Sequence, residues 1–216
     1  MIVAKHYLNN TDLILYQELN MYHFNSDTTL LGEFINIGSK DDVLDIGCNN
    51  GALLLYAALH HPKKLVGIDL YPEILDIAKM NFEVNHFEAE FYCTKVQNFS
   101  YKQFDKIICN PPYFNSTNQK LMNENKYIRS ARHEESLPMN ELFKAVRRLL
   151  KDSGKFYYVH RPQELNRIQK SLMDNHLSIK TMQIYYDSKT NCARAINLEI
   201  VKKNNTQLLI KEPIYL

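Results

Sequence analysis

The chain lacks several things that would place it in other classes. No apolar run approaches the roughly 18 residues needed to span a bilayer, and Met1-Ile2-Val3-Ala4-Lys5-His6-Tyr7 is not a basic region leading into an apolar one with a cleavage site. A cytoplasmic protein with no membrane partner is expected. Cysteine is scarce: Cys48, Cys93, Cys109 and Cys192 stand far apart, with no C-x-x-C pair and no histidine at ligand spacing. These are expected to be reduced packing residues, and no metal site is expected. His60-His61 reads as a solvated helix end. Repeats, low-complexity tracts and linkers are absent too.

What is present suits one core. With 216 residues, 45% hydrophobic and 23% charged, the chain is long enough for one domain and short for two, so residues 1–216 read as a single unit. Charge is unevenly spread. Residues 1–110 carry 8 Lys and Arg against 14 Asp and Glu, a net of −6, whereas residues 111–216 carry 18 against 10, a net of +8. Such a split points to a polyanionic partner for the second half, or simply to a solvated face.

Periodicity orders the elements. Residues 1–24 read as a hairpin or two short strands, and Asn25-Ser26-Asp27 caps a helix running from Thr28 to Ile37 and stopping at Gly38. Strands follow at Val43 to Ile46, Lys64 to Asp69, Glu90 to Cys93 and Asp105 to Cys109, with helices at Ala52 to Leu59 and from Pro72. The stretch 114–138 is polar and long, the pattern of an active-site loop acting as a lid or of a partly mobile loop. Then come a helix at Met139 to Lys151, a strand at Lys155 to His160, a helix from Pro162, and strand-like runs at Ser178 to Tyr186, Ala193 to Val201 and Gln207 to Ile210. Lys203-Asn204-Asn205 is expected to close a C-terminal hairpin between the last two. The prediction is an α/β fold: a Rossmann-like, doubly wound, mostly parallel sheet of about seven strands, with residues 1–40 as an N-terminal β/helix extension.

Two strand ends carry chemistry. Asp45-Ile46-Gly47-Cys48-Asn49-Asn50-Gly51 is a strand-to-helix turn in which glycine lets a ligand approach the backbone. Asp69 closes the next strand, where a carboxylate can accept from ribose hydroxyls. The G-x-G-x-x-G order of dinucleotide sites is missing, and Asp45 would repel a pyrophosphate. It suits instead a ligand with a cationic amino-acid end. Asn110-Pro111-Pro112-Tyr113 is the second feature. Its prolines stiffen a corner bearing an amide, carbonyl acceptors and an aromatic ring, an inventory suited to a planar base with an amino group, although Asn-Pro-Pro is also ordinary turn chemistry.

In combination these stretches resemble the class I S-adenosylmethionine-dependent methyltransferases. The order Asn25-Ser26-Asp27-Thr28-Thr29-Leu30-Leu31, the Asp45 turn, Asn110 to Phe114, Ala131-Arg132-His133-Glu134 and Glu212-Pro213-Ile214-Tyr215 is similar to the bacterial tRNA1(Val) adenine-37 N6-methyltransferase family. That resemblance implies S-adenosyl-L-methionine as cofactor, S-adenosyl-L-homocysteine as product and tRNA as partner, with a monomer or weak homodimer. It implies Asn110, Pro111, Pro112 and Tyr113 as catalytic residues, Tyr113 stacking on the base. Cofactor contacts are implied for Asp45, Gly47, Asn49, Gly51, Asp69, Leu70, Val96 and Asn110, with Ser26 and Asp27. Asn49 stands where the family usually has glycine, and Lys95 where an acid often holds the cofactor's adenine amino group.

For RNA, the expected phosphate contacts are Lys120, Lys126, Arg129, Arg132 and His133 on the loop, with Arg147, Arg148, Arg161, Arg167 and Lys170 beyond it. Other readings are a guanine N2-methyltransferase of ribosomal RNA, a protein glutamine methyltransferase, a DNA adenine methyltransferase, and a non-catalytic RNA-binding module of the same fold.

Overall fold

The computed structural model describes residues 3–18, 25–111, 137–202 and 206–216. Strands β1 (Val3–Tyr7) and β2 (Ile14–Glu18) form the antiparallel hairpin expected at the start. Helix α1 (Ser26–Phe34) is capped by Asn25, whose side chain accepts from the Thr28 N–H. It stops before the expected Ile37, because the chain becomes extended at Ile35 and sends Ile35 and Ile37 into the core.

The main sheet is built from β3 (Asp42–Ile46), β4 (Lys64–Asp69), β5 (Glu90–Cys93), β6 (Phe104–Cys109), β7 (Leu150–His160), β8 (Ser178–Asp187) and β9 (Cys192–Val201), plus two short strands, β10 (Leu209–Ile210) and β11 (Ile214–Tyr215). Its order is β10-β8-β9-β7-β6-β3-β4-β5, with β11 also beside β8. Only β9 runs antiparallel to its neighbours. Winding reverses between β3 and β6, so the carboxyl ends of these two strands flank a crevice.

Helices α2 (Ala52–Ala58), α3 (Pro72–Val84), α4 (Met139–Leu149) and α5 (Leu165–Asp174) cover the sheet. Strand alternation assigns the two faces. Leu44, Ile46, Val66, Ile68, Ile107, Phe156 and Tyr158 pack on one side with Leu142, Phe143, Val146, Ile168 and Leu172 of α4 and α5. Val43, Leu65, Ile108, Tyr157 and Val159 pack on the other with α1 and α2. Each such side chain contributes about 1.5–3 kcal/mol by leaving water.

Two further features differ from expectation. The fourth helix ends at Leu149, and Leu150 begins β7 at once, opposite Phe104; pairing resumes at Lys155 opposite Lys106 across a bulge. The C-terminal hairpin is β8 with β9, not β9 with the last run. Its turn is organised by Asp187, which accepts from the N–H groups of Lys189 and Thr190 at 2.9 Å, and by Asn191 at φ 54. Since β7 and β8 occupy both edges of β9, the final segment pairs with the outer edge of β8 instead. Lys203-Asn204-Asn205 lies outside the described residues.

Candidate cofactor and base site

The turn after β3 is held in a left-handed path. Gly47 has φ 72, Asn49 φ 50 and Gly51 φ 82, so the asparagine in the family's glycine position takes the backbone shape that asparagine tolerates. A Cβ placed on Gly47 would meet no atom of the described residues within 4 Å, which leaves open space against the backbone. At Gly51 a Cβ would lie 3.3 Å from Phe82 and 3.4 Å from Ala78, so that glycine serves the approach of α2 to α3.

Asp69 joins the ends of β3 and β4. One carboxylate oxygen accepts from the Asn49 N–H at 2.9 Å; the other accepts from Leu70 at 2.7 Å and Tyr71 at 3.3 Å. Burial pushes its carboxyl up, and these three N–H groups pull it down by less. About one lone-pair position remains for a ligand hydroxyl. Asp45 is buried, and neither of its oxygens has a hydrogen-bond partner among the described residues. Burial, reinforced by the nearby Asp69 charge, drives its carboxyl well above the usual range. A buried carboxylate without a donor is costly. A cationic ligand group would remove that cost.

A second wall comes from the N-terminal hairpin. Asn81 of α3 accepts from the Tyr16 N–H at 2.7 Å and donates to the Tyr16 carbonyl at 3.0 Å and the Asn50 carbonyl at 2.9 Å. One turn on, Asn85 accepts from the Ile14 N–H at 2.8 Å and donates to its carbonyl at 2.7 Å. The two carboxamides thus stand in for a neighbouring strand and tie β2 to the glycine turn.

Across the crevice, Asn110 follows β6. Its amide nitrogen donates to the Thr28 hydroxyl at 2.9 Å, which links the corner to the start of α1. Beside it, the buried Asp27 carboxylate lies 3.3 Å from the Arg161 guanidinium, and Arg194 donates to the Ser26 hydroxyl at 2.8 Å. Burial raises the Asp27 carboxyl, with Arg161 and Arg194 opposing. The structure therefore brings Asp45, Gly47, Asn49, Asp69, Leu70, Asn110, Pro111, Ser26 and Asp27 to one edge of the sheet. Val96 is buried, and Lys95 is exposed. Pro112, Tyr113, Lys120, Lys126, Arg129, Arg132 and His133 lie outside the described residues, as does most of loop 114–138.

The basic residues divide. Arg161 and Arg167 follow the carboxyl end of β7 and so lie at the catalytic edge; Arg167 also pairs with Glu164 at 3.6 Å. Arg147 and Arg148 end α4, immediately before the first residue of β7, and are thus at the opposite edge of the sheet. Arg148 donates to the carbonyls of Phe99 at 2.7 Å and Val96 at 2.9 Å. Arg148 thus braces the loop before β6, while Arg147 lies 3.9 Å from Asp152.

Sequence reasoning missed Thr28, Arg194 and the Asn81–Asn85 pair. The signal for the last was available, since two asparagines four apart fall on the apolar face of α3. Of the four free thiols only Cys48 and Cys109 are packed inside; Cys93 and Cys192 are exposed, against expectation. Among the described residues no group of three His, Cys, Asp or Glu is placed to hold a metal, and no helix is long and apolar enough to cross a membrane.

A switch-point crevice with a glycine turn on one side and an asparagine corner on the other defines a class I S-adenosylmethionine-dependent methyltransferase fold. The chain belongs to the methyltransferase small domain family, whose model matches residues 21–186. Over 138 residues it is 32% identical to the tRNA1(Val) (adenine(37)-N6)-methyltransferase of Aliivibrio fischeri strain MJ11, covering 62% of this chain and 58% of that protein. A longer alignment, 26% identical over 196 residues, covers 86% of this chain and 80% of the protein of the same name from Shewanella baltica strain OS155. The first-matched relative is therefore spanned over little more than half its length. The fold is similar to that of the Pyrococcus abyssi tRNA (uracil-54, C5)-methyltransferase, solved with S-adenosyl-L-homocysteine. There the TM-score is 0.64 at 20% identity, covering 92% of this chain and 44% of that one.

The cofactor of this family and fold is S-adenosyl-L-methionine, and the residues present fit it. The open space at Gly47 admits a ligand against the backbone, and the unsatisfied Asp45 carboxylate calls for a cationic group. Asp69 keeps acceptor capacity for a ribose hydroxyl.

Proposed function

We propose that the chain methylates the N6 amino group of an adenine in tRNA, and that the base is adenine 37 of tRNA1(Val). The observation that carries the reading is the Asn110 amide, held at the crevice mouth with its nitrogen turned to Thr28. This orientation leaves the carbonyl fork as the one directed away from α1. When bound, S-adenosylmethionine supplies a methyl carbon made electrophilic by the adjacent sulfonium charge.

The chain's own residues prepare the nucleophile. An adenine amino nitrogen is weakly nucleophilic because its lone pair is delocalised into the ring. The Asn110 side-chain oxygen and the Pro111 carbonyl accept hydrogen bonds from its two N–H groups, favour a pyramidal nitrogen and aim the lone pair at the methyl carbon; one of those protons leaves to water once the methyl group is transferred. Orientation of this kind can supply about 7–11 kcal/mol of the barrier reduction. Tyr113 stacks on the extruded base, a contact worth about 1–3 kcal/mol. The name carried by the relatives supports tRNA and position 37 as the finer assignment. Arg161 and Arg167 at the catalytic edge, with Lys120, Lys126, Arg129, Arg132 and His133, form the proposed phosphate-facing set, in the cytoplasm where tRNA is found.

Incubation with unmodified tRNA and S-adenosylmethionine, followed by nucleoside mass spectrometry and position mapping, tests the reading. N6-methyladenosine at position 37 is expected. N2-methylguanosine would replace it with the ribosomal-RNA type of activity. Asn110→Ala should lose nearly all single-turnover activity while keeping cofactor affinity, and near-normal turnover would overturn the assignment.

A further inference from the structure

The start of α1 does more than brace the corner. Polar contacts run from it to Asn110, and the donor and acceptor of each follow from the groups involved. Asn25 caps the helix by accepting from the Thr28 N–H at 3.2 Å. A backbone N–H can only donate, so the Asn25 atom is its carbonyl oxygen. That oxygen also lies 3.5 Å from the Thr28 hydroxyl, a long contact in which the hydroxyl must be the donor. With its proton directed to Asn25, the hydroxyl presents lone pairs to Asn110. The Asn110 amide must then turn its nitrogen towards Thr28, at the observed 2.9 Å.

We propose that Thr28 is a positioning residue for methyl transfer: its hydroxyl, polarised by the Asn25 cap, selects the one of two amide orientations in which Asn110 offers an oxygen to the base. The inference rests on the reading of Asn110 given above and adds a residue that acts through Asn110. A carboxamide turned by half a rotation would set an NH2 group against the adenine NH2, donor against donor. Since the two forks are nearly the same size, packing alone discriminates poorly between them. The helix N-terminus thereby biases the chemistry of a side chain 82 residues away in sequence.

Thr28→Val keeps the β-branched shape and removes the hydroxyl; Thr28→Ser restores it. With one hydrogen bond no longer biasing the amide, the single-turnover rate of Thr28→Val should fall roughly tenfold. Affinity for S-adenosylmethionine, measured by calorimetry, should stay within about twofold, and the Michaelis constant for tRNA should move less than the rate. Thr28→Ser should regain most of the rate. If Asn110→Ala is inactive while Thr28→Val keeps the wild-type rate, the role of the hydroxyl is overturned and the base-holding role of Asn110 stands. Equal losses in Thr28→Val and Thr28→Ser would likewise overturn it, because shape rather than the hydroxyl would then be responsible. An active Asn110→Ala would overturn both.

Discussion

Replacing Asn81 by alanine tests how the N-terminal hairpin is attached. Asn81 is fully buried, and its carboxamide makes three hydrogen bonds, to the Tyr16 N–H, the Tyr16 carbonyl and the Asn50 carbonyl. At a net of about 0.5–1.5 kcal/mol each, their loss should cost about 2–4 kcal/mol. For a domain of this size that lowers the melting temperature by about 5–15 °C. Asn85→Ala releases the Ile14 pair from a less buried position and should cost about half as much. Asn81→Asp should be worse than alanine at neutral pH. It keeps the acceptor for Tyr16 but sets a buried carboxylate against two carbonyls. Burial would raise that carboxyl above its unfolded value, so the variant's deficit should shrink as pH falls and grow as pH rises through the folded pKa. Urea and thermal melts of the three variants between pH 5 and 8 would check this. A cost for Asn81→Ala below about 1 kcal/mol, or one no larger than for Asn85→Ala, would refute the strand-mimic reasoning.

Asp45→Asn should weaken S-adenosylmethionine and S-adenosylhomocysteine alike, by about tenfold or more, since both keep the cationic amino-acid end; calorimetry with both ligands checks it. The Glu90 carboxyl, held down to about 2 by Lys64 first and then by the Tyr92 and Tyr101 hydroxyls, should titrate at that value by NMR. Because the shift is downward, its contribution to stability is complete above the ordinary glutamate value, 4.5, and is lost as pH falls towards about 2. Glu90→Gln should flatten the acid limb of the stability profile. Binding of tRNA should fall steeply with added salt, with a smaller slope in Arg161→Ala and an unchanged one in Arg147→Ala; filter binding at several salt concentrations reads both.

Long-period features were legible in the sequence where one physical effect dominates. Apolar runs placed β3, β4 and β6, the proline at the start of α3 was read correctly, and the Asp45 and Asn110 turns fell at neighbouring strand ends because βαβ winding leaves no other place for them. What was missed depends on partners distant in the chain. The end of α1 is set by burial of Ile35 and Ile37, and the fate of the last strand by which edges of β9 were already taken. Arg148 has the local sequence of any surface cation, and its partners, the carbonyls of Val96 and Phe99, lie some fifty residues away. Thr28 read as one member of a capping run, because nothing local indicates that its hydroxyl meets Asn110.

The asparagine pair on α3 sets a limit of its own. Residues two apart on a strand are about 6.6–6.8 Å apart, and residues four apart on a helix about 6.0 Å apart. Two rungs therefore match, but a third would be out of step and, after a further rotation of about 40°, aimed away. The outer edge of β2 is occupied by a partner that can neither slide by one register nor extend. A hairpin docked in this way keeps a single alignment and presents no open edge on that side to another chain.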